Sequence, residues 1–199
     1  MFQYKSKADK HLTVVLAHEF VLCQENFNLF THYASLQILG DLKKETAIKL
    51  YSCYTQFLHH LYEFYMGIIK RKMKGKIQLS WQVTDAILVE EVKKLFKSRV
   101  QAIKAGHGHP FENDVSHYEI MPPSNFGEVF RKIRNRTAHA SIKRAKDDLT
   151  LTEFYKNYHR FIYILYETAM FSWDVYDIEI FDWEDIENFS INVKNERLL

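Results

Sequence analysis

Three residues in the last third of the chain have the types and spacing to act together on a phosphodiester: Arg134, Asn135 and His139. They lie in the stretch Phe130-Arg131-Lys132-Ile133-Arg134-Asn135-Arg136-Thr137-Ala138-His139-Ala140. Arginine presents a planar fork of N–H donors that fits two phosphate oxygens at once. Histidine exchanges a proton near neutral pH. Asparagine carries both a donor and an acceptor. On a helix, Asn135 and His139 share a face one turn apart, and Arg134 precedes Asn135 by roughly 100° about the axis. A cleft bordered by all three could hold a phosphate and move a proton beside it.

The helix that must carry them is legible around the motif. Phe126, Val129, Phe130, Ile133, Thr137 and Ala140 recur at helical spacing on one face, and Ser124 stands where an N-cap is expected. That face would enter a core and leave the polar three at its border. Charge is polarised around the motif. Residues 131–146 carry Arg131, Lys132, Arg134, Arg136, Lys143, Arg144 and Lys146 with no acid, and residues 174–187 carry seven acids with no base. The net charge of +2 is too small to argue for a polyanion partner by itself. Locally, Lys132, Arg136, Lys143 and Arg144 are candidates for RNA phosphate contacts outside the catalytic set, and a solvated basic face accounts for them equally well.

Arg134-Asn135-Arg136-Thr137-Ala138-His139 resembles the signature of the HEPN superfamily. That signature is an arginine, a polar residue that is often asparagine, three variable residues and a histidine, on a late helix of an α-helical bundle. The resemblance implies a metal-independent endoribonuclease of the toxin, abortive-infection or antiphage type, needing no cofactor. Arg134 would hold the scissile phosphate and stabilise its developing charge. His139 would serve as general base or acid when the RNA 2′-hydroxyl attacks, leaving a 2′,3′-cyclic phosphate and a 5′-hydroxyl. Asn135 would orient the histidine or the phosphate. The resemblance also implies a homodimer in which two motif helices form one composite active site. One subgroup, paired with nucleotidyltransferase antitoxins, carries a modified tyrosine two residues after the histidine. Ser141 stands there in this chain, so the partner left open is a separate antitoxin protein, or none.

The rest of the chain reads as scaffold. At 199 residues it suits one domain with a tail, and a chain this long buries roughly 70% of its unfolded surface without disulfide staples. Aromatics are abundant, at 15 Phe, 12 Tyr and 3 Trp, whereas Gly (6) and Pro (3) are scarce. Apolar residues at helical spacing predict helices over 11–39, 42–74 and 83–104, then the motif helix, then one from the capping box Thr150-Leu151-Thr152-Glu153 to Tyr176. Gly40 is expected to end the first helix and Asp41 to cap the second. The basic run after Ile69 suits a helix C-terminus or a phosphate contact.

The fold expected is therefore all-α, an antiparallel bundle of four to five long helices over residues 1–176. An acidic, then polar extension over 177–199 is expected to pack on the bundle or fray from it. Residues 105–124 break the pattern and form a loop near the cleft that holds His107, His109 and His117. No cysteine stands nearby to complete a zinc set, so no metal is expected there. Cys23 and Cys53 sit in apolar helical patterns and read as buried hydrophobes. No run reaches the roughly 18 uncharged apolar residues of a membrane span, and no secretory signal is evident. A cytoplasmic protein is expected. Two other functions stay open: a non-catalytic HEPN-like module that binds RNA or nucleotide, and a helical protein-interaction domain.

Overall fold

Aromatic side chains at helical spacing give this chain faces that can only be buried against one another, and helices are what result. The structure, a computed structural model, describes residues 4–73, 79–139, 149–173 and 180–195. They form α1 (Lys7–Ile38), α2 (Lys44–Lys72), α3 (Trp81–Lys104), α4 (Phe126–Ala138), α5 (Leu151–Trp173) and α6 (Glu184–Asn195), with a 3-10 turn at Val115–His117. No strand occurs among the described residues. The all-α class matches the sequence reading. Among the described residues five of the helices lie within 1–176, as expected, and part of the acidic extension adds a sixth. Glu184, Asp185 and Glu187 occupy the first turn of α6, where carboxylates meet the positive end of the helix dipole.

Local capping sets the boundaries, in places not where the sequence suggested. α1 starts at Lys7, ahead of residue 11, because Ser6 Oγ accepts a hydrogen bond from the Asp9 amide at 3.1 Å. Its end is as expected: Gly40, at φ 98°, takes the left-handed conformation just past the last turn. Lys43, not Asp41, occupies the N-cap of α2. Asp41 acts from further out, accepting from the Lys43 amide at 3.0 Å and the Thr46 hydroxyl at 2.9 Å. Asn125, not Ser124, precedes α4. The Thr150 cap of α5 is as read, its hydroxyl accepting from the Glu153 amide at 3.1 Å.

The first two helices form an antiparallel hairpin. Arg71, at the end of α2, bonds Asp9, at the start of α1, at 2.7 Å, while Phe30 late in α1 meets Tyr54 early in α2. The Arg71 guanidinium pulls the Asp9 carboxyl down to about 2. This accounts for one residue of the basic run; Lys74 and Lys76 lie outside the described residues. The core runs between α2, α3, α4 and α5, where Phe57, Phe64, Phe96, Phe126, Phe130 and Phe154 are all essentially sealed from solvent. Each buried ring contributes about 1.5–3 kcal/mol of apolar transfer energy, before the entropy of ordering it.

The C-terminal segment docks at the far side. His18 stacks on Trp183 at 4.5 Å and its Nε2 lies 2.8 Å from the Asp182 carbonyl, while Phe181 stacks on Trp173 at 6.1 Å. The histidine loop is pinned elsewhere. Arg99 of α3 bonds Glu112 at 2.7 Å and Glu167 of α5 at 2.6 Å, and the Tyr118 hydroxyl donates to Glu112. That places the loop at the N-terminal end of α4. The motif begins at Arg134, about 12 Å further along this helix at ~1.5 Å per residue. Among the described residues no group of three or more His, Cys, Asp or Glu side chains converges as a metal site, and no helix is long and apolar enough to cross a membrane.

Candidate active site on the fourth helix

The fourth helix is fixed on two sides before its polar residues come into play. Against α3, the backbone approach is so close that a Cβ on Gly127 would lie 2.2 Å from the Asp85 carbonyl oxygen. Glycine is there because nothing larger fits. Four residues on, Arg131 grips the buried Asp85 carboxylate, Nε at 3.1 Å from each oxygen and Nη2 at 2.9 Å from one. The same guanidinium covers the half-exposed ring of Trp81 at 4.5 Å. Against α2, Phe130 meets Tyr62 edge-on at 5.3 Å. Arg131 therefore belongs to the scaffold, although its charge reads like part of the basic patch.

Arg134 sits one turn further, on the α2 side. Its Nη2 donates to the Glu63 carboxylate and its Nη1 to Asn135 Oδ1 at 2.9 Å. The guanidinium carbon lies 5.8 Å from the centre of the Tyr62 ring, and the buried Nε makes no hydrogen bond. A guanidinium has two N–H groups on each terminal nitrogen, so each retains one donor beyond these bonds. Arg134 is thus held in one orientation by a carboxylate and an amide, with part of its fork still unspent. Asn135 serves the arginine: its Oδ1 is engaged, and the NH2 end of its amide remains a donor on the exposed side of the helix.

His139 is placed differently from the sequence expectation. α4 ends at Ala138, and His139 is its C-cap, with extended backbone at φ −120° and ψ 145°. Its amide still reaches the Asn135 carbonyl at 3.2 Å, but the imidazole leaves the helical face and is exposed. The hydroxyl of Thr137 gives a local reason. It bonds back to the carbonyls of Ile133 at 3.0 Å and Arg134 at 3.1 Å, a contact that competes with the helical ladder near its end. The structure therefore joins Arg134 to Asn135 directly, and brings His139 beside them only through the backbone.

The outer basic residues are partly committed. Lys132 pairs with Glu128 at 2.7 Å on the same exposed helix face. Arg136 donates to the Leu149 carbonyl at 3.0 Å, tying α4 to the start of α5. Lys143 and Arg144 lie outside the described residues, as does Ser141.

Sequence reasoning missed what α2 contributes. Glu63 is the ion-pair partner of Arg134, and both side chains are largely covered, at 21% and 30% exposed. His59, one turn before Glu63, is half-buried, and burial, then the neighbouring Arg134 and His60, hold its imidazolium pKa below the usual histidine value. Tyr62 supplies the ring beneath the guanidinium. Burial pushes its phenol up to about 12, so it stays neutral. The one available signal was the cluster His59-His60-Leu61-Tyr62-Glu63, polar residues within an otherwise apolar helix. Nothing in the sequence said which helix it would face. Comparison with known proteins adds no relative: no family model, no curated protein and no solved structure matches the chain.

Proposed function

We propose that this chain is an endoribonuclease of the HEPN type, cutting RNA by attack of the 2′-hydroxyl without a metal ion. The observation that carries the reading is the state of Arg134. Glu63 and Asn135 orient its guanidinium at the C-terminal end of α4, donors remain on it, and the exposed imidazole of His139 follows the same turn. A phosphate seated on the free edge of the fork would gain charge-assisted hydrogen bonds that strengthen as charge builds in the transition state. Asn135 would add a donor from its amide. His139 would transfer a proton at one of the reacting oxygens. Because His139 projects away from its own helix, a second copy with its motif facing the first would complete the cleft, so the active form would be a homodimer. Host RNA in the cytoplasm would be the target, with an antitoxin protein, where one exists, covering the cleft.

The Arg134–Glu63 pair also favours a second reading. Glu63 already offsets the charge of the arginine, as in an ordinary tie between helices, and the module would then bind RNA or nucleotide without cutting. One experiment separates the two. Purified protein is incubated with total RNA in EDTA, and the fragment ends are analysed. Cyclic phosphate and 5′-hydroxyl ends, lost in Arg134→Ala and His139→Ala variants that still fold, support the enzyme. Intact RNA bound in a salt-sensitive manner supports the binding module. RNA neither cut nor bound leaves a protein-interaction domain. A His139→Ala variant that cut as fast as the parent would refute the assignment of His139.

A further inference from the structure

A cavity of about 220 Å³ opens between α2 and α4, lined by Thr55, Gln56, His59, Thr137 and Ala138. It adjoins the motif from behind: Ala138 is the residue before His139, and the charge of Arg134 is felt at His59. Its wall is polar, and the Gln56 amide on it both donates and accepts. The Thr55 hydroxyl proton is spent on the Ser52 carbonyl at 2.8 Å, and that of Thr137 on the Ile133 and Arg134 carbonyls. What the two threonines retain is lone pairs. A neutral imidazole nitrogen adds another acceptor. Such a wall can accept the proton of a ribose hydroxyl while the Gln56 amide donates to its oxygen.

Transfer of a phosphoryl group to a ribose 2′-oxygen needs two proton movements at opposite sides of phosphorus, one from the attacking oxygen and one to the leaving oxygen. One imidazole cannot reach both; the homodimer proposed above offers the partner's His139 as one second group, and His59 is the candidate within the chain. We propose, building on the ribonuclease reading above, that His59 is the second catalytic residue and that the cavity between α2 and α4 is the seat of the ribose 2′-hydroxyl. His59 takes the 2′-hydroxyl proton as the 2′-oxygen forms its bond to phosphorus. The bond from phosphorus to the 5′-oxygen breaks with its electron pair on oxygen, and the imidazolium of His139 delivers a proton there. The cyclic phosphate and the 5′-hydroxyl leave, His59 is then protonated and His139 neutral, and exchange with water restores both.

The charges around His59 fit a base. Burial acts first to keep it neutral, with Arg134 on α4 and His60 beside it in the same sense, while Glu63 on α2 and Glu19 on α1 act in the opposite sense. His60 is itself occupied, its Nδ1 2.8 Å from Glu19. His59 has no hydrogen bond among the described residues and is available to a ligand.

The test is a pH–rate profile of RNA cleavage for the parent protein and for His59→Gln, with KM and kcat measured separately. The parent rate should rise through a pH below the ordinary histidine value. His59→Gln should lose about 10²–10⁴-fold in kcat, lose that rising limb, and keep KM within about twofold. A variant retaining the parent kcat and the same limb overturns the role of His59 while leaving the ribonuclease reading intact. Absence of cleavage by the parent overturns the ribonuclease reading, and this one with it. If His59→Gln does not fold, the parent alone decides. The His59 ring resonances, followed by NMR during titration with adenosine 3′-monophosphate, should shift to saturation. Unmoved resonances at a concentration that shifts those of Arg134 overturn the proposal.

Discussion

Replacing Gly127 by alanine sets a local rule against a tertiary one. By intrinsic propensity the change should help, since glycine inside a helix costs about 0.8–1.0 kcal/mol relative to alanine. The packing of α4 on α3 predicts the opposite. The added Cβ would lie 2.2 Å from the Asp85 carbonyl oxygen, 2.6 Å from its Cα and 2.7 Å from its carbonyl carbon. Ordinary contact begins at 3.4 Å, so the nearest approach is short by 3.4 − 2.2 = 1.2 Å. Every obstructing atom is backbone, so no side chain can swing away and the helices must separate. Overpacking of this kind costs about 1–3 kcal/mol. Opening the contact also disturbs the Arg131–Asp85 pair four residues on, whose carboxylate is buried. Less the propensity gain, overpacking alone leaves a net loss of up to about 2 kcal/mol, to which the disturbed pair adds; a loss of about 2 kcal/mol lowers Tm by about 4–8 °C in a chain of this size. Urea unfolding followed by helical circular dichroism, with the slope compared between parent and variant, measures it. A variant as stable as the parent or more so would show that α3 and α4 do not meet at this distance, and the placement of Arg134 on α2 would fall with it.

Two further outcomes follow from the ion pair and from a half-buried histidine. Glu63→Gln keeps a hydrogen-bond acceptor for Arg134 but removes its countercharge. For a pair this covered, stability should fall by about 1 kcal/mol, while RNA binding at low salt tightens, because phosphate no longer competes with a carboxylate. Weaker binding would mean that Arg134 does not hold the phosphate. His159 accounts for a pH dependence of folding. It is half-buried, its Nδ1 2.9 Å from the Tyr54 hydroxyl, and burial lowers its pKa from 6.5 to about 4. The unfolded chain therefore binds the extra proton first. The stabilisation is complete above the unfolded value and is lost as pH falls from about 6.5 toward 4, by about 3 kcal/mol at most. Denaturation midpoints in that window should fall in the parent and stay flatter in His159→Gln. Equal slopes would place His159 in water.

The sequence by itself determined the class of the fold and singled out the residues of the candidate motif. Apolar residues at helical spacing and the scarcity of glycine and proline dictate helices. Local chemistry marks several of their ends, as Gly40 and Thr150 do. The sequence set the asparagine of the motif on the histidine or the phosphate; that it holds the arginine instead came from the structure. The place of His139 was not legible either, because it depends on where α4 stops. Reading helical phase through Ala140 carried it one residue too far. Only the tertiary structure decided which faces meet. Glu63, 71 residues before Arg134, becomes its partner because Phe130 docks on Tyr62, and the glycine that permits this sits against α3 rather than α2. Periodicity tells a helix which side to bury but not against what. That choice belongs to the packing of all the aromatic faces at once, and it turns a short basic motif on one helix into a site shared by two.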